Sequence, residues 1–534
     1  MKYFNTTGLC VQPKHYMVDL SERVNQIKKL VDDGKYFTIN RARQYGKTTT
    51  LNALEHRLSD TYHVISIDFQ DYGDETFRSE DSFCRDFTSD FSSLLRQKAG
   101  SSSSLLTAID QLTSLATDTG TPIRLFTMFT ALKQIWDTAE KPLVLIIDEV
   151  DSATNNQLFL DFLAALRSHY LKREKNAAYK TFQSVILAGV TDVKHLKMPL
   201  RSEDQHKVNS PWNIAADFDI DMSLSEEGIR GMLDEYESDH HTGMNTKEIA
   251  GIIREYTNGY PYFVSRICQL IDERLVPQPF KDHTEAWTAY GVDESVKKIL
   301  SEDNTLFDSV MGKLENMPEL KSQLRKILLR GETLAYLPDD EEQKLLRMYG
   351  FIYNNHNTVA VMNRIFEMRL YNYFIGENNR NDDLRQLAAA ERSIFVDTDG
   401  WLNIPKIMEH FIKEHNIIHG NDTEKFLEQE GRERFLTYLS PIINGTGTYS
   451  IEEQTRTHRR MDVVIHYLGR RYIIELKIWR GDRYNADGEK QILDYLDHFS
   501  LDTGYMLSFN FNKKKESGVK RVQIGNKTLF EGTV

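Results

Sequence analysis

The stretch RRMDVVIHYLGRRYIIELKIW, residues 459–479, carries one carboxylate, Asp462, and then a second carboxylate and an ammonium two residues apart, Glu475 and Lys477. Two carboxylates supply hard oxygen ligands for a divalent cation, magnesium or manganese, and an ammonium beside them positions a water or steadies phosphoryl charge. Cleavage of a phosphodiester is the chemistry that this set suits. The alternation of Val463, Ile465 and Tyr467 with Val464, His466 and Leu468, the break at Gly469-Arg470-Arg471 and a second apolar run predict a β-hairpin. Glu475 and Lys477 then share one face of the second strand, with Leu476 on the other. Beyond it, GEKQILDYLDHF predicts a helix in which Gln491 and Tyr495 stand one turn apart and face one way.

A second reactive set lies in KYFTINRARQYGKTTTLNALEHRL, which reads as a short strand from Tyr36 to Ile39, a polar loop, and a helix starting around Gly46-Lys47-Thr48. Backbone N–H groups over Tyr45, Gly46, Lys47, Thr48 and Thr49 favour phosphate, Lys47 reaches β/γ-phosphates, and the Thr48 hydroxyl suits magnesium. KPLVLIIDEVDSA supplies the partner: the apolar run Leu143 to Ile147 predicts a strand buried on both faces, ending in Asp148 and Glu149. Asp148 holds magnesium through water, and Glu149 orients or deprotonates the attacking water. SVILAG is a further strand ending near Thr191, a candidate sensor of the γ-phosphate, and HVISIDF is an extra strand between the two motifs. The SPWNIAADFDIDMSL segment reads as the last strand of the same sheet, with Ser225 as a helix cap after it.

These motifs resemble known families. Gly46-Lys47-Thr48 resembles a Walker A P-loop in which Arg41 replaces the first glycine, and Asp148-Glu149 resembles Walker B. The C-terminal hairpin resembles the PD-(D/E)XK nucleases, with Met461 where the family name has proline, and Gln491 and Tyr495 repeat an accessory pattern of one branch. That resemblance implies a catalytic role for Asp462, Glu475 and Lys477, with Asp462 and Glu475 as metal ligands and Gln491 placing the substrate backbone. Gly259 and Pro261 in NGYPYF resemble the Gly-x-Pro feature of STAND and origin-recognition-like AAA+ ATPases, where the proline lies near adenine; an ordinary first-turn helix proline accounts for it equally. The order of parts is similar to bacterial AAA-ATPase-like proteins with a C-terminal PD-(D/E)XK domain. It implies ATP and magnesium as cofactors, nucleic acid as partner with DNA favoured over RNA and neither excluded, and a role in defence against foreign DNA or in mobile-element biology.

At 534 residues the chain has room for about three or four domains. The expected fold is multidomain α/β: a P-loop ATPase core with a parallel sheet over 1–222, a helical lid over 223–290, a winged-helix-like domain over 291–378, a helical linker over 379–420, and a restriction-endonuclease-like domain over 421–534. In the third of these, Asp339, Asp340, Glu341 and Glu342 at the second helix would repel phosphate, which favours a packing or switching role over reading DNA. The net charge of -13 argues against general nucleic-acid coating, but Arg456, Arg459, Arg460, Arg470, Arg471, Arg480, Arg483 and Lys513 to Lys515 gather around the C-terminal hairpin. Cys10, Cys84 and Cys268 are widely spaced and suggest neither disulfides nor zinc. The apolar stretches fall short of a membrane span and MKYFNTTGLC lacks a signal-peptide core, so a cytoplasmic protein with no membrane partner is expected. A homo-oligomer is allowed, and Arg201 is one candidate for an arginine acting in trans. Three readings stand: an ATP-gated nuclease, an ATP-driven switch whose nuclease-like domain binds nucleic acid without cutting, and a scaffold with both sites decayed.

Overall fold

The computed structural model describes residues 2–534 except 101, 119, 192, 194–196, 200–206, 331–333, 379–387, 389–391, 420–427, 444–446, 455–459, 479–488, 491, 498–500 and 511–515. The side chains of residues 197–199, 207–209, 448–454 and 460–462, and of several at helix ends, are also outside the description. The chain forms two compact units; the first contains Met1–Met232 together with Tyr260–Ser265 and Arg347–Gly350, and the second contains the rest. Among the described residues no helix is long and apolar enough to cross a membrane.

The first unit is organised by four parallel strands, β1 (Phe37–Asn40), β2 (His63–Asp68), β3 (Leu143–Asp148) and β4 (Ser184–Gly189), in the order β1-β4-β3-β2. Every residue of β3 and β4 is buried, as their near-continuous apolar runs require of strands covered on both faces. Helix α1 (Ser21–Asp32) packs on α2 (Lys47–Leu58), which follows β1. Between β2 and β3 the chain inserts α3 (Glu80–Lys98), α4 (Ser103–Thr117) and α5 (Leu125–Thr138), whose Phe83, Phe87, Phe91 and Leu132 join Phe159 and Phe162 of α6 (Gln157–Lys175) in one apolar core. The short strands β5 (Lys197–Pro199) and β6 (Lys207–Asn209) pair with each other.

The expected last strand at SPWNIAADFDIDMSL does not form. Pro211–Ile214 is a turn of 3₁₀ helix capped by Ser210, and only one parallel bridge, Phe37↔Ala216, continues the sheet beside β1. Pro211 fixes φ and lacks an N–H to give to a ladder. Trp212 is fully buried, its indole N–H donating to Thr38 Oγ1 at 3.0 Å, which anchors the segment as a turn. Ser225 does cap the next helix, α7 (Glu226–His240), by accepting from Gly228 N at 3.0 Å.

In the second unit, α8 (Thr246–Thr257), α9 (Pro261–Glu273, whose first turn belongs to the first unit), α10 (His283–Ala286) and α11 (Ala289–Ser301) precede α12 (Thr305–Asn316), α13 (Pro318–Arg330) and α14 (Glu341–Met348, whose end from Arg347 belongs to the first unit). Then comes a hairpin, β7 (Ile352–Asn355) and β8 (Thr358–Val361), turned through His356 and Asn357 at φ +49° and +67°, a conformation that Asn tolerates. Helix α15 (Arg364–Asn378) follows. The order α13, α14, hairpin is the one that the winged-helix-like expectation for 291–378 calls for.

The rest is one six-stranded mixed sheet: β9 (Gly447–Gln454), β10 (Arg460–Tyr467), β11 (Arg470–Ile478), β12 (Thr503–Phe509), β13 (Gly518–Ile524) and β14 (Lys527–Thr533), in the order β13-β14-β12-β11-β10-β9. β11, β12 and β14 run parallel; the outer strands are antiparallel to their neighbours. The helical residues 492–497 cover one face, where Ile492, Tyr495 and Leu496 meet Val464, Ile473, Met506 and Leu529. The other face carries α16 (Ile404–His419) and α17 (Glu428–Ile443), with Phe411 edge-on to Phe509. Helix α16 falls in the stretch read from sequence as a linker, and it lies on this sheet.

Candidate functional site

Lys47 is the first residue of α2, and Gly46 before it has φ +79°, a left-handed conformation that glycine adopts without penalty. The Lys47 ammonium is nearly buried and donates to Arg41 O at 3.1 Å and Ala42 O at 3.3 Å, inside the loop. Burial pushes its pKa down; Glu149, Asp148 and Asp151 oppose that shift. Thr48 Oγ1 donates to Asp148 Oδ2 at 3.0 Å, and Asp148 Oδ1 accepts from Glu149 N at 2.9 Å. Burial raises the carboxyl pKa of both Asp148 and Glu149. A hydroxyl and a buried carboxylate meeting in this way are oxygen donors suited to a hard divalent cation, whose charge would relieve the cost of burying Asp148.

Glu149 stands at φ +51°, rare for a residue with a Cβ, and costs on the order of 1 kcal/mol. That turn carries the chain from β3 into Val150–Ser152, and Asp151 there accepts from Val190 N and Thr191 N, each at 2.7 Å. The exit of β4 is thereby tied to the exit of β3. A side chain at Gly189 would meet Val150 Cγ2 at 2.9 Å and Asp151 Oδ2 at 3.0 Å, so this tie requires glycine.

At the C-terminal sheet, Glu475 is completely buried and Lys477 Nζ lies 2.8 Å from Glu475 Oε1. Both stand on the face of β11 that carries Ile473, the face covered by residues 492–497. The last register pair before Glu475 is Val463↔Ile474, one residue from Asp462 and one from Glu475. The backbone of Asp462 is therefore at the level of Glu475; its side chain is outside the description.

A family model described as an AAA-like domain matches residues 10–374. The chain belongs to the AAA-like domain family. A second model, of the PD-(D/E)XK nuclease superfamily, matches residues 448–522, so this AAA-like protein carries a C-terminal PD-(D/E)XK domain. Among solved structures it is similar to a Walker-type ATPase of Pyrococcus abyssi at 14% identity and a TM-score of 0.46, covering 69% of this chain and 99% of that one. It is also similar to Cdc6p from Pyrobaculum aerophilum at 12% identity and a TM-score of 0.32, covering 69% and 96%. A third is the Aeropyrum pernix ORC1 protein in complex with DNA, at 10% identity and a TM-score of 0.29, covering 68% and 93%. No curated protein matches the chain.

In this AAA-like chain the structure brings Lys47, Thr48, Asp148 and Glu149 to one place, with Thr191 tied in through Asp151. Tyr45 is buried edge-on to Tyr260, whose hydroxyl donates to Arg43 O, and Pro261 begins α9 with its Cγ 3.7 Å from where a Gly46 side chain would start. Thr49 is spent differently: its Oγ1 accepts from Cys10 N at 3.2 Å and ties the N-terminal segment to α2. Arg41 has no positive φ, so the missing glycine is not needed for backbone freedom; its guanidinium donates to Ile220 O at 2.9 Å and lies 5.4 Å from the Phe218 ring.

At the second site Tyr495 belongs to the apolar cluster, so its ring is a packing element. Gln491 and Arg201 lie outside the described residues. Of the basic residues counted toward nucleic acid, Arg470 stacks 3.6 Å over Trp401, while Arg456, Arg459, Arg480, Arg483 and Lys513 to Lys515 are outside the description. Sequence reading missed Asp151, Gly189 and Tyr260. The Asp-Glu-Val-Asp spacing holds Asp151 in plain view, but only the fold supplies its N–H partners.

Proposed function

We propose that this AAA-like protein binds and hydrolyses magnesium-ATP and couples that cycle to a metal-dependent nuclease. The observation that carries the reading is the convergence of Lys47, Thr48, Asp148 and Glu149 at the ends of β1 and β3, in the same chain as a wholly buried Glu475 paired with Lys477. In the first site Lys47 exchanges its two carbonyl partners for β/γ-phosphate oxygens, and Thr48 with Asp148 holds the magnesium. Glu149, its pKa raised by burial, accepts a proton from the attacking water more readily than an exposed carboxylate. Asp151 keeps Thr191 at the γ-phosphate by holding its backbone. Pro261 and Tyr260, beside Gly46 and Tyr45, border the nucleotide base.

In the second site Asp462 and Glu475 hold magnesium or manganese, which when bound supplies Lewis-acid polarisation of the scissile phosphate. Lys477 orients the attacking water or neutralises the phosphate, and Gln491 places the backbone. The substrate is nucleic acid, DNA before RNA, and the setting is a cytoplasmic one of defence against foreign DNA or mobile-element biology. Nucleotide state acts on the nuclease through the helices and hairpin that lie between the two sites in sequence. The test is cleavage of labelled single-stranded and duplex DNA and of RNA by the full chain, in magnesium and in manganese, with and without ATP. Cleavage by the parent that is lost in Lys477→Ala supports the reading; equal cleavage by both removes the assignment.

A further inference from the structure

One row of residues across the six-stranded sheet leads from Glu475 to two charged side chains, Glu531 and Lys520, that have no part in the chemistry above. The register pairs Glu475 of β11 with Met506 of β12, Met506 with Glu531 of β14, and Glu531 with Lys520 of β13. Residues paired across strands share a face. The apolar cluster agrees, since Ile473, Met506 and Leu529 meet in it and Ile524 packs against it, each on the row or an even number of residues from it along its strand. Glu475, Glu531 and Lys520 therefore lie on one face, toward the carboxyl ends of the parallel strands β11, β12 and β14.

Glu531 is 4% exposed. Its Oε2 lies 2.7 Å from Lys520 Nζ, whose side chain is 68% exposed, while its Oε1 has no hydrogen-bond partner among the described residues. A buried carboxylate with one oxygen unsatisfied is costly, and an apolar residue would fill the place more cheaply if packing were its task. This carboxylate holds a long cation, otherwise free to sample many rotamers, at one point on the sheet face that carries Glu475. The bond to Glu531 and the charge of Glu489 both raise the Lys520 pKa, so the ammonium stays protonated.

We propose that Lys520 and Glu531 form a second phosphate-binding position of the nuclease site. Lys520 takes a backbone phosphate of the nucleic acid, and Oε1 of Glu531 accepts from an N–H or O–H of the adjoining nucleotide. Strand spacing places the Glu531 backbone roughly 10 Å from that of Glu475, too far for the two acids to share the pair of ions, about 4 Å apart, of a two-metal site. Lys520 is one strand further, roughly 14 Å away, so it meets a phosphate along the strand from the scissile one.

The inference rests on the phosphodiester reading of Glu475 and Lys477, and one experiment separates the two. The full chain is titrated into a fluorescein-labelled single-stranded oligodeoxynucleotide, with calcium replacing magnesium, and anisotropy is followed at several salt concentrations for the parent, Lys520→Ala, Lys520→Arg and Glu531→Gln. Cleavage of the same oligonucleotide is measured in magnesium and manganese. Expected is about tenfold weaker binding by Lys520→Ala, with the slope of log K against log salt smaller by about one, recovery in Lys520→Arg, and a smaller loss in Glu531→Gln, where the cation remains but is no longer pinned. Lys520 is exposed, and a melting temperature equal to the parent's in Lys520→Ala certifies the fold. Parental affinity and slope in Lys520→Ala overturn this inference alone, whereas a parent that neither binds nor cuts overturns the nuclease reading with it.

Discussion

The nucleotide site and the PD-(D/E)XK site hold their charged groups by different means. In the first, backbone groups do most of the holding: Lys47 is bonded to two loop carbonyls, Asp148 accepts from the Glu149 N–H as well as from Thr48, and Asp151 is satisfied by two N–H groups. In the second, a carboxylate with no solvent exposure lies beside a lysine two residues away on the same strand. A backbone-held site loses one function when one side chain is changed and keeps its shape. A buried ion pair leaves an uncompensated charge when one partner goes. Mutations of equal chemical size should therefore separate function from stability at the first site and mix them at the second.

The largest expected effect is on hydrolysis. Glu149→Gln should lower ATP turnover by about 10²- to 10⁴-fold with ATP affinity near the parent's, because the phosphate cradle is untouched. Parallel calorimetry and phosphate release check this, and turnover at the parental rate moves the water-orienting role elsewhere. Lys47→Ala should instead lose magnesium-ATP binding while leaving the melting temperature little changed, since its partners are carbonyls that water can satisfy. At the contrasting site, Lys477→Ala should abolish cleavage and also lower stability by up to about 3 kcal/mol, with manganese restoring part of the melting temperature by neutralising Glu475. Denaturant unfolding with and without metal decides it, and a variant as stable as the parent without metal would erase the difference drawn between the two sites.

Asp151→Ala should give a smaller loss, about tenfold to a hundredfold in turnover with unchanged ATP affinity, because it frees the Thr191 backbone without removing a phosphate contact. Equal loss of affinity and turnover would mark Asp151 as merely structural. The smallest effect is one of pH. The Glu149 pKa is raised in the folded chain, so its contribution to stability is present below the unfolded-state value and is lost as pH rises through the folded one. Glu149→Gln should therefore melt slightly higher than the parent at neutral pH without nucleotide, with the gap closing below about pH 4. A gap independent of pH would show that burial of the charge is not its cause.

Much of this was legible in the chain because local rules fix it. A run of apolar residues ending in Asp148-Glu149 needs no partner to be read as a buried strand, and Gly46-Lys47-Thr48 announces a helix start with free N–H groups. Glu475 and Lys477 share a face by strand periodicity alone. Most of the unread parts depend on contacts between distant segments. Arg41 is accommodated by Phe218 and Ile220, Asp151 works through N–H groups of the β4 exit, and Pro211 with Trp212 stops a strand that the apolar pattern favours. Lys520 and Glu531 are the exception: they face each other across the short β13–β14 hairpin turned at Gly525-Asn526, a local signal that the reading of the sequence passed over.

ATP-gated cleavage is tested most directly by one comparison on the full chain: parent, Lys477→Ala and Glu149→Gln on the same labelled DNA, in manganese, with and without ATP. It predicts cutting by the parent that changes with ATP, none by Lys477→Ala, and cutting by Glu149→Gln that stays at its ATP-bound level because the nucleotide is held and not turned over. Cleavage by Lys477→Ala at the parent's rate, or cleavage by the parent and Glu149→Gln that is indifferent to ATP, would contradict it.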